Sequence, residues 1–266
     1  MSKLTISLNK INSLEELSEG KTAIHNIHPL VKIITTTVFL VVVISFHKYN
    51  VSGLMPYFIY LVLLMSMGEI PYKSVFSRLL IALPFSFFAG LSNIFLDISI
   101  AYYMVEIPIT YGFISFTSII IKTALTVMAV LILVATTPMD KIAHELIRIK
   151  IPKIFVMQIM LTYRYIGVLI AEASNMVTAY HLRSIKQKGI KLGHIGSFMG
   201  QLLLRSFDKA EKVYFAMKCR GFNGEYICAI SSKMSVSDYI YLITLSGIFI
   251  LMRFINISVL VGSLFG

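Results

Sequence analysis

Five stretches of this chain are apolar for long enough to cross a lipid bilayer: residues 30–46, 52–68, 80–97, 112–136 and 238–262. A spanning helix needs about 20 predominantly apolar residues, within a range of about 17–25. The first stretch carries Lys32 at its entry, the fourth carries Lys122 and the last Arg253. Composition agrees: 57% of the residues are hydrophobic and 14% charged, against about 25% charged in an ordinary soluble domain. Such a chain has too little polar surface to cover itself in water, which excludes a soluble globular protein and a disordered one. The fold class expected is an all-α integral membrane protein of about five transmembrane helices. Pro84 falls inside the third stretch and predicts a kink there, which a bundle tolerates.

Residues 1–27 are not a secretory signal, because Glu15, Glu16 and Glu19 interrupt any apolar core. The first span doubles as the targeting segment. Gly20-Lys21-Thr22 ends like a phosphate loop, but Glu15 stands where its first glycine belongs, so no ATP site is expected.

The net charge of +11 would suggest nucleic acid in a soluble protein. Here its placement decides. Lys3, Lys10, Lys21 and Lys32 precede or open the first span, and Lys73 and Arg78 lie between the second and third. Residues 140–233 hold 15 Lys and Arg against 6 Asp and Glu, nine of the eleven net charges. The 97–111 loop has Asp97 and Glu106 and no Lys or Arg, and Lys48 is the one basic residue on that side. This is the positive-inside pattern. It places the N-terminus and residues 140–233 in the cytoplasm, the 97–111 loop and C-terminus outside, and the protein in the plasma membrane; no nucleic-acid partner is needed. Residues 151–171 are also apolar enough to span, yet both flanks are basic, so a helix along or just under the membrane is expected. The domains are then 1–137 (tail and spans one to four), 138–235 (cytoplasmic helices) and 236–266 (last span). Cys219 and Cys228 both fall in the basic region, so no disulfide framework is expected.

Within 138–233, Pro138 opens a short amphipathic helix over 140–149 with Ile142, Leu146 and Ile149 on one face. Pro152 opens a long helix to about Gln187, stopped by Gly189. After a Gly-rich turn over 189–200 a third helix covers about 201–220, stopped by Gly221, with Leu202, Leu203, Phe207, Ala210, Val213, Tyr214 and Met217 at helical spacing. No strands are expected here.

The two long helices end alike. Ala179 to Ser184 and Ala216 to Gly221 both read Ala-x-x-x-Arg-small, 37 residues apart. One arginine near a helix C-terminus is ordinary dipole and carbonyl capping. Two at matching positions suit a second role, since a guanidinium fork docks two-pronged on a carboxylate. The pair looks built to enter two grooves on partner proteins.

Around these ends stand His28-Pro29-Leu30-Val31-Lys32, Thr136-Thr137-Pro138, Ile151-Pro152-Lys153-Ile154-Phe155, Tyr163-Arg164-Tyr165, Leu204-Arg205-Ser206 and the run Lys209 to Met217. With them the chain resembles the transmembrane T component of an energy-coupling factor transporter, and within that group the cobalt-transport permease CbiQ. That group carries Ala-Arg-Gly at the end of each of two coupling helices; Leu182-Arg183-Ser184 keeps the arginine, and Cys219-Arg220-Gly221 keeps arginine and glycine. The resemblance implies a non-catalytic subunit of a cobalt importer, serving cobalamin biosynthesis. It would join two ATP-binding-cassette ATPases to a membrane-embedded substrate-capture subunit and hold no cofactor, with ATP on the ATPases. Docking then falls to Arg183, Arg220, Gly221, Ser184, Ala179 and Ala216. A T component for nickel or a vitamin would look the same. A stand-alone secondary transporter would need repeated halves and midplane charges, and Lys122 and Arg253 are poor candidates.

Other groups point to less. His25-x-x-His28 has a ligand spacing but no third ligand nearby. His144, His181 and His194 read as surface groups, with His181 beside Arg183 and in reach of an ATPase. Arg164 and Glu172 are two turns apart, each free to hold its helix against a neighbour. Lys122 is either snorkelling or paired in the interior.

Overall fold

A computed structural model describes residues 17–97, 99–104, 107–184, 190–224 and 234–254. The expectations for Gly189, Glu106, Cys228, Glu15, Glu16 and residues 255–262 lie outside these described residues. The chain divides into two compact units. One takes in Met139–Ser231; the other takes in Glu16–Pro138 and Ser232–Gly266.

The second unit is a helix bundle. Helix α1 (Pro29–Ser45) starts on a proline, with His28 as its N-cap: the ring Nδ1 accepts a bond from the Leu30 N–H at 3.2 Å. A 3-10 turn, Ser52–Leu54, leads into α2 (Met55–Met67). Helix α3 (Tyr72–Leu96) runs without a break through Pro84. It begins eight residues before the apolar run suggested, because Arg78 turns its guanidinium back onto the Ser74 carbonyl at 3.1 Å and so sits in a helix at little cost. Helix α4 (Tyr111–Thr136) is capped by Thr110, whose hydroxyl accepts from the Phe113 N–H. Helix α8 (Val236–Phe254) closes the bundle.

Helices α3, α4 and α8 are long and apolar enough to cross a membrane, and α1 and α2 are shorter apolar helices. Much of α3's apolar surface faces outward, including Ile81, Phe85, Phe88 and Phe95, as suits a lipid-facing helix. The interior is centred on four rings, Phe39 of α1, Tyr57 and Tyr60 of α2 and Phe249 of α8, with Phe39 5.3 Å from both Tyr60 and Phe249 by ring centroid. The buried Tyr57 hydroxyl donates to the Phe249 carbonyl at 3.0 Å, since a phenol in an apolar interior needs a partner.

Lys122 and Arg253 converge on the C-terminal end of α1. Lys122 Nζ donates to the Phe46 carbonyl. Arg253 Nη2 donates to the Ser45 carbonyl at 3.1 Å and lies 4.5 Å over the Phe46 ring. The last carbonyls of a helix lack partners and carry its negative dipole end, so the two cations cap α1. Lys122 is therefore paired in the interior.

Among the described residues the 97–111 loop holds the one pair of strands. Ile100–Met104 (β1) and Ile107–Thr110 (β2) form an antiparallel hairpin, with Tyr103 opposite Pro108. Both strands are rich in β-branched or aromatic residues. Asp97 ties this end down: its carboxylate accepts from the Tyr49 hydroxyl and the Ser99 hydroxyl, each at 2.7 Å, with Lys48 Nζ at 3.7 Å. The Tyr49 bond first, then that of Ser99 and the Lys48 charge, hold the Asp97 carboxyl below the ordinary carboxylate range. Gly112 lets α4 start against this knot; a Cβ there would stand 2.5 Å from the Asn93 carbonyl oxygen and 2.8 Å from that of Asp97.

The Met139–Ser231 unit is three helices, α5 (Met139–Arg148), α6 (Lys153–Arg183) and α7 (Leu192–Cys219). Three expectations change. The buried positions of α5 are Ala143 and Glu145, not the Ile142-Leu146-Ile149 face; Ile149 lies past the helix end and is exposed. Glu145 sits near Arg148 at 3.7 Å and His144 at 3.6 Å. Helix α6 stops at Arg183 rather than near Gln187. Helix α7 begins nine residues earlier than expected and absorbs Gly193, Gly196 and Gly200, where the glycines had suggested a turn. By length and composition α6 also qualifies as a span.

Candidate functional site

The candidate site is the pair of helix ends at Arg183 and Arg220. Helices α6 and α7 lie antiparallel, and three linkages fix their register. Near the far end of α6 the Tyr180 hydroxyl meets His194 Nδ1 at 2.9 Å. Further along, Arg205 forms a salt bridge with Glu172. Beyond that pair an apolar groove of about 740 Å3 runs between the helices, lined by Met157, Leu161, Tyr165 and Leu169 on one side and Ala210, Val213, Met217 and Phe222 on the other. Position 180 thus faces 194, 172 faces 205, and the start of α6 faces the end of α7. The two arginines therefore stand at opposite ends of one helix pair. Arg183 ends a helix of 31 residues whose first turns face the level of Arg220, so the separation along the axis is on the order of 40 Å.

The ends are built differently. At α7, Arg220 is the C-cap and Gly221 follows in the left-handed region, with φ of 85°. The Gly221 N–H donates to the Lys218 carbonyl and the Phe222 N–H to the Met217 carbonyl, both at 3.0 Å. This is a Schellman end, and Phe222 and Met217 share the groove wall as its apolar contact. The sequence reading of Gly221 as a helix stop thus has a defined geometry. At α6, Arg183 is the last helical residue and Ser184 the cap, at φ of −107°, with one bond from its N–H to the Tyr180 carbonyl at 3.0 Å. No left-handed residue is used.

Arg183 and Arg220 are exposed, as are Ala179, Ala216 and Gly221, and Ser184 is half-buried. Ala179 lies one turn before Arg183 and Ala216 one turn before Arg220, each on the arginine's own face. Alanine there leaves both guanidinia a clear approach. Among the described residues neither guanidinium has a hydrogen bond or ion pair. His181 is exposed beside Arg183, while His194 is bonded to Tyr180. Glu172 does hold its helix to a neighbour, through Arg205; Arg164 is exposed. The Glu172–Arg205 and Tyr180–His194 pairs were not foreseen, because pairing two helices requires their register, which single-helix periodicity does not carry.

The exposed apolar face of α7 is extensive: Leu192, Ile195, Met199, Leu203 and Phe207 follow one another at helical spacing. Patches of this size mark contact with protein or membrane. The histidines near α1 are engaged locally: His25 Nδ1 meets the Thr22 hydroxyl at 2.7 Å and its Nε2 the Leu17 carbonyl at 3.0 Å. Among the described residues no group of three or more His, Cys, Asp or Glu could hold a metal ion.

Comparison with known proteins gives the family. The CbiQ cobalt transport protein family model matches residues 20–230, which takes in the first four helices of the bundle and both arginine ends. The uncharacterized protein MJ1571 of Methanocaldococcus jannaschii is 24% identical over 249 residues, 89% of this chain and 84% of that protein. The nickel permease LarQ of Lactiplantibacillus plantarum is 28% identical over 107 residues, 40% of this chain and 39% of that protein. A second M. jannaschii protein, MJ1089, is 29% identical over 127 residues, 47% of each chain. With that match across most of its length and its bundle of apolar helices, the chain is a multi-pass membrane protein of the CbiQ cobalt transport family.

Proposed function

We propose that this protein is the energy-coupling T subunit of an energy-coupling factor importer, carrying cobalt ions. It links two ATP-binding-cassette ATPases, which bind and hydrolyse the ATP, to a membrane subunit that captures the ion. One observation carries the reading: two exposed arginines stand at opposite ends of a single antiparallel helix pair, on the order of 40 Å apart. A closed ATPase dimer offers two equivalent grooves; one subunit that addresses both needs two separated, outward tips. In this reading Arg183 and Arg220 each meet a carboxylate in a groove, with Ala179, Ala216, Gly221 and Ser184 shaping the approach. The exposed apolar face of α7 covers the capture subunit. Helix α6 lies at the cytoplasmic membrane surface, because its basic flanks belong on one side. LarQ, a partial match, is a nickel permease, and nickel is accordingly the second cargo to test.

The test is co-purification with the ATPases. Arg183→Ala with Arg220→Ala together should insert in the membrane normally and lose both ATPases. Wild-type retention of both, with wild-type uptake of Co2+ or Ni2+, would return the two arginines to ordinary helix capping. Uptake of Ni2+ in preference to Co2+ would change the cargo and leave the subunit role intact.

A further inference from the structure

The Met139–Ser231 unit is joined to the bundle by two chain connections, one leaving α4 at Thr136–Pro138 and one entering α8 at Ser235–Asp238. Both are fastened to the same eight residues, His25–Lys32. Lys32 is buried at 6% exposure, an unusual place for an ammonium. Its Nζ donates to the Thr136 carbonyl at 2.8 Å and to the His25 carbonyl at 3.3 Å. Thr136 is the last residue of α4, so a cation caps that helix where its dipole is negative. On the other connection, Asp238 accepts from the Ser235 N–H through Oδ2 at 2.9 Å, the backward half of a capping box at the start of α8. Its Oδ1 accepts from the His28 backbone N–H at 3.0 Å. An anion thus sits in the first turn of α8 and is bonded to the residue that caps α1. His28 and Thr136 are themselves buried. Three helix termini, of α1, α4 and α8, meet in one polar junction.

Neither residue belongs to the Met139–Ser231 unit that carries the arginine ends. Their common property is position: they fasten both points where the chain leaves and re-enters the bundle. We infer that Lys32 and Asp238 are positioning residues for energy coupling, locking both attachment points to α1 so that movement delivered to the Met139–Ser231 unit carries α1, α4 and α8 together. This rests on the reading that ATPases drive that unit. Without the clamp the connections give way and ATP is hydrolysed with little transport. The bundle itself still forms, since the ring contacts of Phe39, Tyr57 and Phe249 and the Tyr57 hydrogen bond use neither Lys32 nor Asp238.

Two measurements on the full-length protein test the clamp. The first uses spin labels at Val134 and Val236, both partly or largely exposed, in the detergent-purified protein. The α4–α8 distance distribution should be narrow in the labelled parent and broad when Lys32→Met or Asp238→Asn is added. The asparagine keeps one acceptor and presents an NH2 to the other donor, so it breaks one bond of two and should broaden less. An unchanged distribution in both variants overturns the clamp. The second measurement uses the complete transporter in vesicles supplied with Co2+ or Ni2+. In Lys32→Met, ions taken up per ATP hydrolysed should fall by roughly tenfold, the scale on which losing a charge-assisted bond acts. The ATPases should still co-purify, and Lys32→Arg should recover part of the ratio. A merely stabilising role would lower yield and melting temperature and leave that ratio alone, which also overturns the inference. Failure of the unmodified protein to bring down ATPases would sink the proposed function, and the distance measurement would still decide whether the clamp exists.

Discussion

The two arginine ends carry the same short pattern on two different backbones. The α7 end is closed by a left-handed glycine, two carbonyl bonds and an apolar contact in the groove. The α6 end closes with a single bond to Tyr180 and a serine at negative φ, −107°. A firmly closed end presents its arginine from a fixed platform. The single-bond end allows more movement about the last turn. One tip is preset and the other adaptable, a difference that the proposed docking into two grooves would put to use.

The largest expected effect separates the tips. Arg220→Ala should weaken ATPase binding by about 2–5 kcal/mol, the usual cost of truncating one partner of a desolvated charge pair. Arg183→Ala should cost less, because an adaptable tip has already given up part of its interaction to ordering entropy. Titration of the purified ATPases onto each variant in nanodiscs measures both. Equal losses would remove the contrast.

Exchanging the small residues sharpens it. Gly221→Ser puts a side chain at φ of 85°, a conformation that costs L-residues about 1–2 kcal/mol. The Phe222 amide should then exchange hydrogen faster, by roughly fivefold or more, and affinity should fall with it. Ser184→Gly should not rescue anything, although it restores the family's tripeptide ending: Ser184 already has a comfortable φ, and glycine there adds only chain freedom, a loss of about 0.5–1 kcal/mol. A gain in affinity from Ser184→Gly would mean that the α6 end changes to the left-handed closure on docking.

A third end gives the smallest effect. Helix α5 also closes in the Schellman manner, with the Ile151 N–H on the Leu146 carbonyl at 3.1 Å, but its left-handed residue is Lys150, at φ of 70°. Lys150→Gly should relieve that strain and raise stability by up to about 1 kcal/mol. Thermal unfolding of the purified protein should move upward slightly; a decrease would show that the lysine side chain contributes more than its backbone costs.

The apolar helices were legible because hydrocarbon length and hydrophobic run length are one measurement. Their ends were legible only where polarity changed abruptly. At α3 it did not: Lys73, Ser74 and Arg78 look like a loop and are helical because Arg78 satisfies a carbonyl of its own turn. At α7 the glycines at 193, 196 and 200 misled for the opposite reason. Glycine lowers helix propensity by about 1 kcal/mol, yet each lies in open space on a helix whose later turns are strongly apolar and charged, and the helix extends through them. In the candidate site the arginines were readable from repetition alone. Their placement at opposite ends was not, since it depends on Glu172 finding Arg205, 33 residues on, and Tyr180 finding His194, 14 residues on, pairings that periodicity within one helix does not align.

Because a helix rises a fixed distance per residue, the α6–α7 pair behaves as a strut that neither shortens nor stretches. If two grooves drew its ends toward each other, none of that displacement could be absorbed along its length. It would have to leave sideways, as a tilt of one helix across the other about the Glu172–Arg205 bridge. The open groove beside that bridge supplies the clearance for such a tilt, so an axial pull at the tips becomes a transverse stroke at the middle.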